Sequence, residues 1–482
     1  MRIGIAKMSA VAALSLLTAG CATTGAVDTD PLNAFAPVSD RTASVTGKQT
    51  VWLQSAEEAR KIGDRVQALV RNRTVGPDTA VQVALLNNKG LQAAYADVGL
   101  SQAEVWQQSL LVNPTVSVGL TGVDPVRSIE ATVANNILAV ITRPQRMAIA
   151  DTRLRQAQLR AAEETLRLAA DTRRAWIDAV SAWERVAYLN QAQAAADAAS
   201  ELAQKLGETG AFTKSGQARE HVFYAELAGQ TAEARMQARM AKEALTRLMG
   251  LWGSDLDYQV PNALPPLPKR PTAKRAIEAE ALRNRVDLEV ARLELESLAR
   301  AYGLTSATRY LTDLEIISGA EVEREEEDGA TTTTTPVIEL EFAIPIFDSG
   351  QARLRKAELA YMRAANLLAE KAVHVRSEAR SAYDGYRSSY DIARHYRNNV
   401  VPLRTTIEEE SVLTYNGMIT NTFELLADTR ARIGAIMLSL NAKRQFWLAD
   451  VDLGTAIHGG GSGSSPAMAT EVAAAGDGGG GH

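Results

Sequence analysis

The most constraining feature of the sequence is a strand pattern that leads directly into a very long helical pattern. In Ile338–Arg353, apolar residues alternate with glutamates and an alanine, and Pro345 and Asp348–Gly350 then mark a turn. Beyond the turn, apolar residues recur every seven positions to about Val400, with no intervening proline. About fifty helical residues form a rod of about 75 Å, because each residue adds about 1.5 Å. The pattern therefore predicts an elongated, mainly α protein.

The chain carries this pattern twice. Residues within 80–100 match residues within 276–296 at an offset of 197 positions, as Ala84 matches Ala281, and the two long helical patterns match at an offset of 207. Each unit is predicted to contain a helix, two strands, a long helix, a tight turn and a return helix. The first strands are predicted at Thr115–Thr121 and Leu314–Gly319, the second strands at about Ser128–Val140 and Val337–Ile346, and the return helices at about Ser215–Leu248 and Asn421–Leu453.

Composition and turn residues divide the chain into six segments. Residues 22–50 are small and polar with scattered prolines, which predicts an irregular leader, and Ser55–Arg73 has the pattern of an amphipathic helix. The acidic and threonine-rich stretch Glu321–Pro336 is predicted to be the loop between two strands. We expect a lipoprotein signal peptide at 1–20, a lipid-anchored leader with a short helix at 21–75, the first repeat at 76–260, a proline-rich linker at 261–271, the second repeat at 272–457 and a disordered glycine-rich tail at 458–482.

The amino terminus has the pattern of a lipidated export signal. Arg2 and Lys7 precede an apolar run, and the small residues up to Gly20 lead to Cys21, the only cysteine of the chain. This order predicts that signal cleavage leaves Cys21 as a lipid-modified first residue, carrying an acyl group such as palmitate. Ordinary signal cleavage with a free cysteine is the alternative. The mature chain could form no disulfide within itself.

The strand segments alternate apolar and polar residues, as Val116, Val118 and Leu120 do with their neighbours. Such strands fit the wall of a membrane barrel with a wet lumen, but a sheet with one buried face gives the same alternation. Four strands do not close a spanning barrel, because the smallest have about eight strands. If the strands span a membrane, several chains must therefore share one barrel.

No constellation for catalysis or cofactor binding can be assembled from the sequence. The sequence contains no phosphate-binding glycine loop and no nucleophile elbow, and the histidines are too scattered for a metal site, so we expect no enzyme, cofactor or metal ion. The formal charge of −5 and the lack of a basic face argue against nucleic acid. A stripe of tyrosines is interpreted as packing: Tyr383, Tyr386, Tyr390 and Tyr396.

Four motifs together resemble one known family. They are ALLNNKGL from Ala84, LLVNPTVSVGL from Leu110, IPIFDSGQAR from Ile344 and YNGMITNTFELLADTRARI from Tyr415. With the lipobox cysteine, their order is similar to that of the TolC-like outer membrane efflux proteins (outer membrane factors), in particular the lipoprotein branch. The resemblance covers about Val75–Ile457.

The resemblance implies a fold that is mainly α with a transmembrane β-barrel portion. In that family a homotrimer shares a twelve-stranded barrel above a long α-helical periplasmic tunnel, so the duplicated helix-strand-strand-helix-helix unit would supply four strands per chain. The helical tips would meet a periplasmic adaptor protein and an inner-membrane pump. By resemblance, these tip positions are Gly210, Thr213, Gly417, Thr420 and Glu424.

The implied function is the exit duct of a tripartite efflux system for small molecules, in the bacterial outer membrane and anchored in its lipid through Cys21. Two alternatives stay open at this stage. One is a duct for type I protein secretion, and the other is a lipid-anchored periplasmic coiled-coil scaffold without a pore. Known members carry gating aspartates where Phe423 and Leu426 stand here, so the resemblance assigns no gating residue.

Overall fold

The structure is a computed structural model that describes residues 30–123, 126–210, 212–273, 276–325, 331–417 and 422–461. Its first half consists of α1 Pro31–Thr46, α2 Ala56–Val70, α3 Pro77–Asn87, α4 Lys89–Ser109, β1 Thr115–Val123, β2 Val126–Asn136, α5 Ile137–Glu208 and α6 Lys214–Leu248. A short 3₁₀ turn at Gly253–Leu256 precedes the linker. The second half consists of α7 Ile277–Asn284, α8 Val286–Ala307, β3 Leu314–Glu325, β4 Thr331–Phe342, α9 Gln351–His395, a π-helical turn Tyr396–Val400, α10 Val401–Asn416 and α11 Thr422–His458.

The predicted fold class is confirmed in its mainly helical, duplicated architecture. The pair α3–α4 corresponds to α7–α8, and each pair is followed by two strands, a long helical stretch and a return helix. The helix α5 has 72 residues, and α6 and α11 have 35 and 37. Since α5 alone is about 108 Å long at about 1.5 Å per residue, the protein is a rod rather than a globule.

The strands form one antiparallel sheet in the order β1-β2-β3-β4. In its register, Val116 pairs with Val133 and Leu120 with Ile129, so apolar side chains share one face of the sheet, and those of β1 are exposed. Ser117 pairs with Thr132 on the opposite face. Among the described residues, β1 and β4 each pair along one edge only. The sheet therefore presents an exposed apolar face and two open edges.

The hairpin of the second half is longer than predicted. We expected a loop at 321–336, but β3 continues to Glu325 and β4 begins at Thr331, with Glu321 paired to Thr335. The threonine run is β-branched, and such residues favour strands. Both second strands end earlier than expected, at Asn136 and Phe342, and the Asn136 side chain caps α5 by accepting a hydrogen bond from the Ala139 amide at 2.7 Å.

The leader is also more ordered than predicted, since residues 31–46 form α1 where we expected an irregular segment. The Asp30 side chain accepts a hydrogen bond from the Leu32 amide at 3.0 Å, and Pro31 occupies the first helical position. The apolar side of α1 then packs on α4, with the rings of Phe35 and Tyr95 4.6 Å apart. The capping residue and the apolar side of the helix therefore determine the structure of this segment, although its composition is polar.

The long helices pack through small side chains. On α5 the buried residues include Ala161, Ala162, Ala179 and Ala192, and Ala238 on α6 is fully buried. Alanine lets helix backbones approach closely along a heptad seam. In the described part of the chain, no helix combines the length and the apolar character needed to cross a lipid bilayer.

The ends of two helices meet in the first half and are closed by amide side chains. The Asn88 side chain caps α4 by accepting from the Leu91 amide at 3.1 Å, and it also donates to the Leu248 carbonyl at the end of α6 at 3.0 Å. Asn87 donates to the Gly250 carbonyl at 2.7 Å. These bonds satisfy helix-terminal groups that would otherwise lack partners, and they join the start of α4 to the end of α6.

Candidate channel wall and helical tips

The turn between α5 and α6 is tight and depends on glycine. Gly210 has φ +76°, in the left-handed region, and its amide donates to the Gly207 carbonyl at 3.1 Å. A Cβ atom on Gly207 would lie 1.7 Å from the Gln217 side chain. The left-handed conformation of Gly210 therefore favours glycine at this turn, and a side chain at position 207 would require Gln217 to move.

Thr213 begins the return helix at this tip. Its hydroxyl accepts a hydrogen bond from the Gly216 amide at 3.1 Å and lies 3.2 Å from the Ser215 hydroxyl. Thr213 therefore caps α6, and because its side chain is exposed, it lies at the surface of the tip. Its proposed contact with an adaptor stays a prediction.

The second tip is built differently. Gly417 follows α10 and donates to the Leu413 carbonyl at 2.9 Å, but its φ of −76° does not require glycine. Glu424 lies in the first turn of α11, where a carboxylate is favoured by the helix dipole. Thr420 and Cys21 lie outside the described residues, as does the chain from 462 onward.

Ion pairs connect the helices near the tips. Glu220 of α6 is only 3% exposed and accepts from Arg430 of α11 at 3.0 Å. Arg432 pairs with Glu408 of α10. The Ser411 hydroxyl donates to Asp428 at 2.5 Å. These bonds fix α11 to α6 on one side and to α10 on the other.

Further along the rod, charged pairs join the two halves. Lys443 of α11 binds Glu184 of α5 at 2.6 Å, and the same carboxylate accepts from the Leu264 amide of the linker at 3.1 Å. Arg444 binds Asp178 at 2.8 Å. The sequence analysis missed these residues, because partners in different halves lie hundreds of positions apart and share no local pattern.

The tyrosine stripe packs as predicted. Tyr386 and Tyr390 are buried around Phe446, with ring centroids 5.4 and 5.7 Å from it. The Tyr390 hydroxyl donates to the carbonyls of Pro268 and Lys269 at 3.0 and 2.9 Å. These contacts attach the linker to the helices α9 and α11.

The histidines make separate contacts. His221 of α6 hydrogen bonds with Ser200 of α5 at 2.6 Å, and His395 at the end of α9 hydrogen bonds with Asn399 at 3.0 Å. Within the ranges that the structure describes, no group of three or more His, Cys, Asp or Glu side chains could hold a metal ion. The described geometry offers a sheet with open edges, long packed helices and a tight turn between α5 and α6.

Comparison with known proteins agrees with this architecture. No protein-family model matches the sequence, and no curated protein sequence matches it significantly. Solved structures do match. CusC, described as forming a transmembrane channel, is 14% identical with a TM-score of 0.68, over 80% of this chain and 92% of that one. The Campylobacter jejuni CmeC outer membrane channel is 17% identical with a TM-score of 0.64, over 80% of this chain and 86% of that one.

The open state of the Neisseria gonorrhoeae MtrE outer membrane channel is 15% identical with a TM-score of 0.63, over 82% of this chain and 89% of that one. The similarity thus extends over most of the chain in each case, although few residues are identical. The protein has the fold of these TolC-like outer-membrane channels.

Proposed function

We propose that the protein is an outer-membrane channel lipoprotein that acts as the exit duct of a tripartite efflux system for small molecules. The observation that carries this proposal is the sheet. Its four strands present an exposed apolar face and two open edges, and they continue into helices up to 72 residues long. Unpaired strand edges and exposed apolar side chains are unfavourable in water. A closed barrel within lipid would pair the edges and place the apolar side chains against lipid.

A homotrimer would close the edges. If β4 of one copy pairs with β1 of the next, three copies supply twelve strands, above the minimum of about eight for a spanning barrel. The helices of three copies would then surround a periplasmic tunnel. Gly210, Thr213, Gly417, Thr420 and Glu424 would lie at its far end, against a periplasmic adaptor and an inner-membrane pump.

The duct is proposed to be passive, because a separate pump would supply the energy of transport. Cys21 would anchor each copy in the outer membrane through its lipid. Mass spectrometry of the intact protein tests this point: a lipid adduct on the wild type should be lost in Cys21→Ser, and an unmodified wild-type chain would contradict lipid anchoring.

The central test is electron microscopy of the full-length protein extracted from membranes in mild detergent. We expect hollow particles with threefold symmetry, a detergent belt at one end and a tunnel of about 100 Å set by the helix lengths. Single-channel conductance in a planar bilayer would complement the images. Solid rods without a belt or conductance would favour the alternative of a periplasmic coiled-coil scaffold.

Deletion of the gene distinguishes the two kinds of duct. For a small-molecule duct, the deletion strain should become more sensitive to dyes, detergents and drugs while its protein secretion stays normal. A strain of unchanged sensitivity that fails to secrete a protein would favour type I protein secretion instead.

A further inference from the structure

The duplicated chain has two equivalent helix-end junctions, and they are built differently. In the first half Asn88 joins the start of α4 to the end of α6. Its counterpart at an offset of 197 is Arg285, at the start of α8. The Arg285 side chain makes no capping bond to α8, and its hydrogen bonds among the described residues go to Asp287 and Glu378. The second junction thus lacks the amide bridge that closes the first.

An elongated cavity of about 720 Å³ lies at this second junction. It is bounded by α5, α8, α9 and α11, and its lining residues on α9 extend from Ala364 to Gly385, a length of about 30 Å. All of the bounding helices belong to one chain. A cavity of several hundred Å³ with both apolar and charged walls has the size of a ligand site.

Part of the charged lining is neutralised internally. Arg285 donates two parallel hydrogen bonds to Asp287, at 2.9 and 2.8 Å, and also pairs with Glu378. Lys371 lies 3.3 Å from Asp287, and Arg174 binds Asp452 at 2.7 Å. The basic side chains of the cavity wall are therefore already engaged with carboxylates.

The lining still carries an excess of negative charge. The lining has six carboxylates and three basic side chains, a formal excess of three negative charges: Glu163, Asp287, Glu294, Glu370, Glu378 and Asp452 against Arg174, Arg285 and Lys371. Of these carboxylates, Glu294 also has a basic neighbour outside the lining, since Arg160 lies 3.8 Å from it. Glu163 is half-buried and, among the described residues, makes no hydrogen bond or close ion pair. Burial, followed by the neighbouring Asp287 carboxylate, raises the pKa of Glu163.

Apolar side chains lie beside this carboxylate along the cavity. Leu367, Leu368 and Val375 line it from α9, Ala291 from α8, and Ala449 and Ala456 from α11. A bound cation would stabilise a half-buried carboxylate that has no partner, and the apolar walls would contact the apolar part of an organic molecule.

We propose that this cavity binds an organic cation with an apolar body, and that Glu163 is its counter-ion. All residues of the proposed site belong to one chain, so pentamidine binding and the formation of a threefold duct are tested by separate measurements. At the first junction, by contrast, the amide side chains of Asn87 and Asn88 bond to the end of α6.

Isothermal titration calorimetry of the full-length protein in mild detergent tests the proposal. The probe is pentamidine, an aromatic molecule with a cationic amidinium at each end, and its neutral counterpart has carboxamides in place of the amidines. We expect pentamidine to bind, the neutral bis-amide to bind at least tenfold more weakly, and Glu163→Gln to weaken pentamidine binding at least tenfold.

Glu164→Gln is the matched control, because it removes the same charge from the adjacent residue. Glu164 is paired with Arg167 and does not line the cavity, so its variant should bind pentamidine as the wild type does. Ala364→Trp should block binding by filling the cavity, which provides a second measurement if Glu163→Gln folds poorly. Equal affinity for both probes, or unchanged binding in Glu163→Gln or Ala364→Trp, would overturn the proposal.

Discussion

The ion pair between Glu220 and Arg430 gives the sharpest test of how the helical tip is held together. Arg430 donates to Glu220 at 3.0 Å and to the Arg219 carbonyl at 3.3 Å, and its guanidinium lies 4.3 Å from the centroid of the Phe223 ring. In the variant Arg430→Met, the stem can still pack on Phe223, but the buried carboxylate loses its charged partner.

The expected cost follows from the burial of the two partners. Removing one member of a fully buried pair costs about 3–5 kcal/mol. Glu220 is 3% exposed but Arg430 is 36% exposed, so water screens part of the attraction. We therefore expect about 2 kcal/mol, taken as a loss of local stability between α6 and α11. This corresponds to an opening equilibrium shifted about thirtyfold.

Hydrogen–deuterium exchange of the full-length protein measures this opening directly. Peptides from the start of α6 and from the start of α11 should exchange about thirtyfold faster in Arg430→Met. Adding Glu220→Gln to Arg430→Met should relieve part of the loss, because it removes the buried charge that the first change leaves without a partner.

The exposed pair Lys205–Glu201 provides the control. Its partners are 2.8 Å apart and both 68% exposed, so water screens their attraction and Lys205→Met should change exchange by less than threefold. If Arg430→Met has no larger effect than Lys205→Met, the buried pair does not hold the tip and the reasoning is wrong.

Three further predictions concern stability. Burial opposes ionisation of Asp287, but its hydrogen bonds and attraction to Arg285 outweigh this and lower its pKa. The ionised Asp287 therefore stabilises the fold above the unfolded pKa of about 3.9, and this stabilisation is lost as the pH falls through the folded pKa. The melting temperature should drop more steeply with acid in the wild type than in Asp287→Asn, and parallel curves would contradict this. Gly250→Ala should lower the melting temperature more than Gly253→Ala. Both glycines have positive φ, but only at Gly250 would an added Cβ lie 3.1 Å from a backbone oxygen. Equal losses would contradict this steric explanation. Phe446→Ala should lower the free energy of unfolding by about 3–5 kcal/mol in chemical denaturation, because the residue is 1% exposed among aromatic neighbours. Phe446→Leu should lower it clearly less, and equal losses would contradict packing as the cause.

Local periodicity was sufficient to predict most of the secondary structure. The heptads and the matching offsets located the long helices, the return helices and the order of elements in both halves. The tyrosines of α9 were correctly interpreted as packing, because Tyr386 and Tyr390 recur on the buried side of the helix. Periodicity succeeds here because most contacts in such a rod lie between regular helices.

The limits of the strands were predicted less well, for a physical reason. The stretch 321–336 is mostly acidic residues and threonines, a composition that predicts a loop, yet most of it extends β3 and β4. A polar composition predicts a loop only if strands are expected to bury an apolar face. Along this hairpin, neither face of the sheet has to be apolar. Backbone pairing and β-branched threonines are sufficient to extend it.

Contacts between the halves follow from the assembled fold, because neither partner carries a mark of its distant counterpart. The pair Glu220–Arg430 spans 210 positions, and nothing near either residue predicts the other. The duplication, however, supplies a comparison within the chain itself. Asn87 matches Asn284 at the offset of 197, whereas Asn88 is matched by Arg285.

That one mismatch separates a closed junction from an open one. An asparagine can cap one helix start and bind the end of another, because its amide both accepts and donates. A guanidinium only donates, so Arg285 cannot accept from the amides at the start of α8 and turns to Asp287 instead. In a duplicated chain, a polar position that differs between the halves at a helix end is therefore where the halves are expected to have acquired different roles.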